Sequence, residues 1–195
     1  MSVRRYGAKA SVARSALGAA AIIGLALLAG CTDSTTITLP PVTTQAPDSP
    51  YNQDRKTGVP EGEAVGISLT KITVRRNGDT DRVEYQFTGD AIPGWTVQYV
   101  SQPVQNGTNQ PFPVAGRWIL EVLIREAPNP FGTTAPPYSG PDTLTSPEAK
   151  SIAEVRYSTV DRQVTQSFIG LNADQPVFRV TSLENPTRII VDIGA

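Results

Sequence analysis

The chain has 195 residues, 39% hydrophobic and 18% charged, an ordinary globular balance with a formal net charge of -1. It contains no histidine and a single cysteine, which excludes a Ser/His/Asp triad, a Cys/His pair, a His-ligated zinc site, an intrachain disulfide and a cysteine-rich metal site. Arg4, Arg5, Lys9 and Arg14 all precede the cysteine, so the chain beyond it keeps 13 of the 17 cations against 18 acidic residues, a net of -5. No Lys/Arg cluster of the kind that nucleic acid requires is left there.

The first thirty residues divide into a cationic start (Arg4 to Arg14), an apolar run of 12 residues from Leu17 to Leu28, and a small-residue approach to Cys31. Twelve apolar residues fall short of the roughly 20 that a membrane-spanning helix needs, but they suit the core of a signal peptide. Leu28-Ala29-Gly30-Cys31 then resembles the lipobox of bacterial lipoproteins. That resemblance implies a signal peptide over 1–30, cleavage between Gly30 and Cys31, and a lipid (diacylglyceryl, palmitate-type chains) attached to Cys31. The expected location is the extracytoplasmic face of the cell membrane. Two or more long acyl chains are enough for stable anchoring, at about 0.8 kcal/mol per buried CH₂. The alternative is an ordinary secretory signal with an accidental cysteine.

From Cys31 to Glu63 the sequence is rich in Thr, Ser and Pro, with isolated apolar residues. Such a segment buries too little surface to offset its ordering entropy, and a disordered, partly polyproline-like tether over 31–63 is expected.

The expected domain, 64–195, is organised with period two. Ile67, Leu69, Ile72 and Val74 open it, and Val83, Tyr85 and Phe87 then alternate with Arg82, Glu84 and Gln86, placing the first set inward and the second in water. Trp95 to Val100 continues the pattern, with Trp95, Val97 and Tyr99 on one side. Pro103 to Pro113 reads as a loop containing Asn106-Gly107. Trp118 to Ile124 is apolar on both faces, as a central strand would be. A second, proline-rich break covers Ala127 to Pro147, a length that is often functional, and Ser146-Pro147-Glu148 closes it with the start of a helical turn. Ile152 to Tyr157, Gln163 to Ile169, Val177 to Leu183 and Arg188 to Ile193 complete seven or eight short strands. The fold class is all-β, a β-sandwich of two small sheets.

Two stretches together resemble a known family. Asp81-Arg82-Val83-Glu84-Tyr85-Gln86-Phe87 is followed by Gly94-Trp95-Thr96-Val97-Gln98-Tyr99. Leu183-Glu184-Asn185-Pro186-Thr187-Arg188-Ile189-Ile190-Val191-Asp192 is similar to the closing motif of AMIN domains. The span from about Ile67 to Ile193 resembles the AMIN-like domain of actinobacterial lipoproteins. That resemblance implies a non-catalytic module of the cell envelope that binds peptidoglycan or an envelope protein; the chain departs from AMIN proteins in that no amidase or secretin domain is expected with it, and no cofactor or nucleic acid is expected as a partner. A carrier of an apolar or lipid ligand and an accessory subunit of an envelope complex are the alternatives. An internal repeat is also expected: Arg82-Val83 with Trp95–Tyr99 in one half, Arg188-Ile189 with Val177–Val180 in the other, one half to each sheet.

Single residues carry further expectations. Asp79, Asp81 and Asp90 are read as turn formers rather than calcium ligands. Asp192, among Ile190, Val191 and Ile193, must find a donor, with Arg82 or Arg188 the choices. Trp95 and Trp118 are expected in the core rather than as glycan-stacking platforms. Tyr138 is the aromatic expected to be exposed and is the one proposed surface contact. Asn106-Gly107-Thr108 matches a glycosylation sequon, a match without meaning in a bacterial lipoprotein. No catalytic and no metal residue is assigned.

Overall fold

The computed structural model describes residues 49–62, 66–125, 138–158 and 164–194. Gly30, Cys31 and the signal-peptide and lipid-attachment expectations lie outside the described residues.

Ten strands follow one another without a helix among the described residues: β1 (Lys56–Gly58), β2 (Leu69–Asn77), β3 (Thr80–Phe87), β4 (Trp95–Val100), β5 (Trp118–Arg125), β6 (Thr143–Leu144), β7 (Ile152–Ser158), β8 (Val164–Leu171), β9 (Phe178–Leu183) and β10 (Arg188–Gly194). They form a six-stranded sheet, β1-β4-β5-β8-β7-β6, and a four-stranded sheet, β2-β3-β10-β9, antiparallel throughout. The all-β sandwich read from the sequence is the fold. Two strands escaped that reading. β1 lies in the stretch expected to be tether, and β6 lies in the long proline-rich break. The tether boundary is corrected accordingly, because residues 49–62 belong to the domain. Ser49 and Asn52 bond to the β9 backbone at Val180 and Phe178, and β1 pairs with β4. Ser146 to Ala149 is a turn, closed by Ala149 N donating to Ser146 O (3.2 Å), rather than the start of a helix.

The expected repeat is also corrected. β3 and β10, the two arginine-led strands, are neighbours in one sheet, whereas β4 belongs to the other. The four-stranded sheet is therefore made from both ends of the domain and is not one half of a duplication.

Alternation explains the packing. In β3 the odd-numbered residues Val83, Tyr85 and Phe87 are buried, and β10 faces them with Ile189, Val191 and Ile193. From the six-stranded sheet come Val97, Leu120, Val122, Ile124, Val155, Ile169 and Leu171, all in the same core cluster. Each fully buried side chain of this size contributes about 1.5–3 kcal/mol. Polar pairs set the alignment of the layers: the hydroxyls of Tyr85 and Ser167 lie 2.8 Å apart, and Trp95 Nε1 donates to Ser182 Oγ at 2.9 Å. Trp95 is thus a core residue, as expected. Burial pushes the Tyr85 phenol well above its ordinary pKa, and the Ser167 hydrogen bond offsets only part of this.

Asp81 departs from its expected role. Asp79 lies in the β2–β3 turn and Asp90 in the bend after β3, but Asp81 is the second residue of β3 and fully buried. It shares the parity of Val83, so its side chain points between the sheets. Oδ2 accepts backbone N–H groups from Lys150 (2.8 Å), Ser151 (2.6 Å) and Ile152 (3.1 Å) at the start of β7. Oδ1 accepts from Arg76 Nη1 at 2.8 Å. One carboxylate therefore ties the four-stranded sheet to the six-stranded one. Burial alone would raise its pKa. The Arg76 guanidinium and the three N–H groups outweigh that and hold it below the usual carboxylate range.

The loop after β4 was legible as a loop, but its seat was not. It lies on the outer face of the six-stranded sheet, where Phe112 packs on Phe168 (ring centroids 5.5 Å apart). Asn106 N donates to Gln166 Oε1 at 2.8 Å, and Gln166 Nε2 donates to Val104 O and Glu121 Oε1, both at 2.9 Å. These bonds satisfy Gln166, which is 1% exposed in mid-strand. A Cβ on Gly170 would overlap the Ala115 carbonyl, so only glycine lets the loop sit this close.

Candidate functional site

A cleft of about 630 Å³ opens on the outer face of the six-stranded sheet, at its β1 end. Its size falls in the range of small-ligand sites. Strand alternation builds the floor, because Thr96, Gln98 and Leu123 are the outward residues between inward Trp95, Val97, Val122 and Ile124. Residues 55–60 form one wall and Asn106 of the β4–β5 loop stands opposite. The floor is held rigidly. Gln98 Nε2 donates to Glu121 Oε2 at 3.0 Å, and the other oxygen of that carboxylate is taken by Gln166 Nε2, the same side chain that holds the loop. The wall is fixed by the bulk of Trp95, whose indole lies against Gly58 so closely that a Cβ there would overlap the ring.

Lys56 fastens the same wall from behind. It is 6% exposed. Its ammonium donates to Asn52 O (3.2 Å) and Asp54 O (3.0 Å) and sits 4.0 Å from the centre of the Phe178 ring. Burial lowers its pKa, and the nearby Asp54 charge partly restores it. A second, smaller cleft of about 240 Å³ lies on the other side of β1, lined by Trp95, Val180 and Ser182 among others.

The larger cleft carries an asymmetry of charge. Arg55 and Arg125 line it, no acidic residue does, and both arginines are exposed. Neither has an acidic partner among the described residues. Two unneutralised guanidinium forks beside hydroxyl and amide groups suit a ligand that carries a carboxylate or another anion together with hydroxyls. Sequence reasoning missed these residues. Arg55 lies in what read as tether, and Arg125 ends a strand that drew attention only for its apolar residues. Arg55-Lys56-Thr57-Gly58 offers too short an alternation to announce a strand.

The sequence-selected residues are dispersed. Tyr138, expected to be exposed, is half-buried at the opposite, β6 end of the same sheet. Its ring meets that of Tyr157 edge-on at 4.9 Å, its hydroxyl donates to Pro141 O at 2.9 Å, and burial raises its pKa. It does not border the cleft. Trp118, expected in the core, is 37% exposed. It is the first residue of β5, inward by parity, and packs edge-on to Tyr99 at 6.2 Å (centroid to centroid). Asp192 is buried and takes Arg82 Nε at 2.6 Å and Nη2 at 2.8 Å, with Arg179 Nη2 at 3.2 Å. Of the two expected partners, Arg82 is the one used; Arg188 turns to Glu84 instead (3.7 Å).

The described residues thus form a two-sheet antiparallel sandwich with an open cleft on one outer face, lined by no acidic residue. The AMIN-like domain model matches residues 67–195, and the chain belongs to that family. Domains of this family are extracytoplasmic and generally non-catalytic, and they often bind peptidoglycan or other envelope components. No curated protein and no solved structure matches the chain.

Proposed function

We propose that the protein is a lipoprotein held at the extracytoplasmic face of the cell membrane through Cys31, and that its domain binds a wall component, peptidoglycan first, in the Arg55/Arg125 cleft. The observation that carries the reading is the pair of unneutralised arginines over a floor of Thr96 and Gln98. Peptidoglycan combines sugar hydroxyls with stem-peptide carboxylates, which is the ligand chemistry those groups favour. Membership of the AMIN-like family supports the envelope setting, and the lipobox supports the anchor.

The test is retention of the full-length, detergent-solubilised chain on purified peptidoglycan. The Arg55→Gln/Arg125→Gln chain is expected to lose at least tenfold in retention with an unchanged unfolding midpoint. Retention of the wild-type chain no better than that of an unrelated β-sandwich would overturn the binding reading. Equal retention of the variant would move the site elsewhere. Anchoring is tested separately: Cys31→Ala should leave the membrane fraction of cells, and its continued sedimentation there would refute the anchor.

A further inference from the structure

We infer that the outer face of the four-stranded sheet is a docking surface for an anionic lipid bilayer. The register places Lys71, Arg75, Arg82, Arg179 and Arg188 on that face, with Glu84 and Asp192 as the acidic strand positions among them. Each acid is flanked by two arginines. Asp192 lies between Arg82 and Arg179, and Glu84 has Arg75 and Arg188 each at 3.7 Å. The carboxylates orient the guanidinium groups without cancelling them, and the strand positions of the face keep a surplus of three positive charges. That surplus stands on a chain whose net charge beyond residue 30 is -5, so the domain is polarised. Arg75 and Arg188 keep 46% and 29% of their side chains in solvent, and a guanidinium beside a carboxylate still presents donors to a phosphate.

Two further observations favour a bilayer over a soluble polyanion. The chain enters the domain beside this sheet, since Ser49 and Asn52 bond along the β9 edge. Cys31 lies 18 positions before Ser49 in the chain, so an anchor there would join the domain at this edge. Tyr51, 41% exposed, lies on the Arg179 guanidinium at 4.8 Å. An amphipathic ring beside a cation is the pairing found at lipid headgroups. The cleft with Arg55 and Arg125 is on the other sheet and remains free while this face is occupied.

The inference rests on the anchoring proposed above, and the experiment separates the two. Full-length wild type, Lys71→Gln/Arg75→Gln and the charge-matched control Arg117→Gln/Lys150→Gln are sedimented with vesicles of phosphatidylcholine containing about one third phosphatidylglycerol, and with phosphatidylcholine alone. All three are identical up to residue 70, so differences among them report the domain. On the anionic vesicles the face variant should bind at least fivefold more weakly than wild type and the control, and this difference should shrink with added salt. On neutral vesicles the three should bind alike. Equal binding of face variant and control to anionic vesicles overturns the inference. So does a loss confined to soluble polyphosphate, which would assign the face to a polymer. Unaltered membrane association of Cys31→Ala in cells would remove the anchor while leaving a charge-dependent vesicle result standing.

Discussion

Asp81 offers the sharpest test of how the two sheets are held. In Asp81→Ala the N–H groups of Ser151 and Ile152 lose their acceptor in a buried position, and Arg76, 18% exposed in its side chain, loses its partner. Lys150 N is part-buried and recovers a water. Each buried donor left unpaired costs about 1–3 kcal/mol, and removing one partner of a buried ion pair costs about 3–5 kcal/mol. These terms overlap, so the expected loss is about 3–5 kcal/mol, a large share of the 5–15 kcal/mol typical of a domain. With a urea slope of about 2 kcal/mol/M the midpoint moves down by roughly 2 M, readable from tryptophan fluorescence. Asp81→Asn keeps one acceptor oxygen and should lose about half as much. The two variants also differ from wild type in acid. The folded carboxyl titrates below its unfolded value, near 3.9, so its stabilisation is complete above that pH and disappears as pH falls toward the folded pKa. Wild type should therefore lose stability below about pH 4–5, and Asp81→Asn should lack this portion of the decline. An Asp81→Asn stability within about 0.5 kcal/mol of wild type, or an identical acid profile, would refute the account.

Two glycines give independent tests of close approach. Gly170→Ala should displace the β4–β5 loop from the sheet, lowering stability by about 1–3 kcal/mol and raising amide exchange at Asn106; unchanged exchange would disprove the loop's seat. Gly58→Ala should push the Trp95 indole off β1, breaking its bond to Ser182, shifting its emission and weakening peptidoglycan retention together. A spectral shift with normal retention would detach the 55–60 wall of the cleft from binding.

Alternation located β3 and β4, and an apolar run located β5, because most inward positions of these strands are apolar and buried. Asp81 shows what that reading passes over. Its parity with Val83 already placed it inward, but its type suggested a turn, and only tertiary structure supplies the three N–H groups that make an inward carboxylate tolerable. β1 was hidden because three residues gain their order from pairing with Trp95 to Val97, not from local preference. Arg82 and Asp192 are far apart in sequence, and the register that joins them follows from β10 lying beside β3. Trp118 misled for a related reason: inward parity guarantees burial only where the opposite sheet covers the position.

The order of strands in the smaller sheet bears on how such a domain is made. β10 lies between β3 and β9 and contributes Ile189, Val191 and Ile193 to the centre of the core. β2 and β3 pair with each other early in the chain, but the other edge of β3 waits for β10, the last strand. The smaller sheet is completed only when the tenth strand arrives, so its long-range pairings form last.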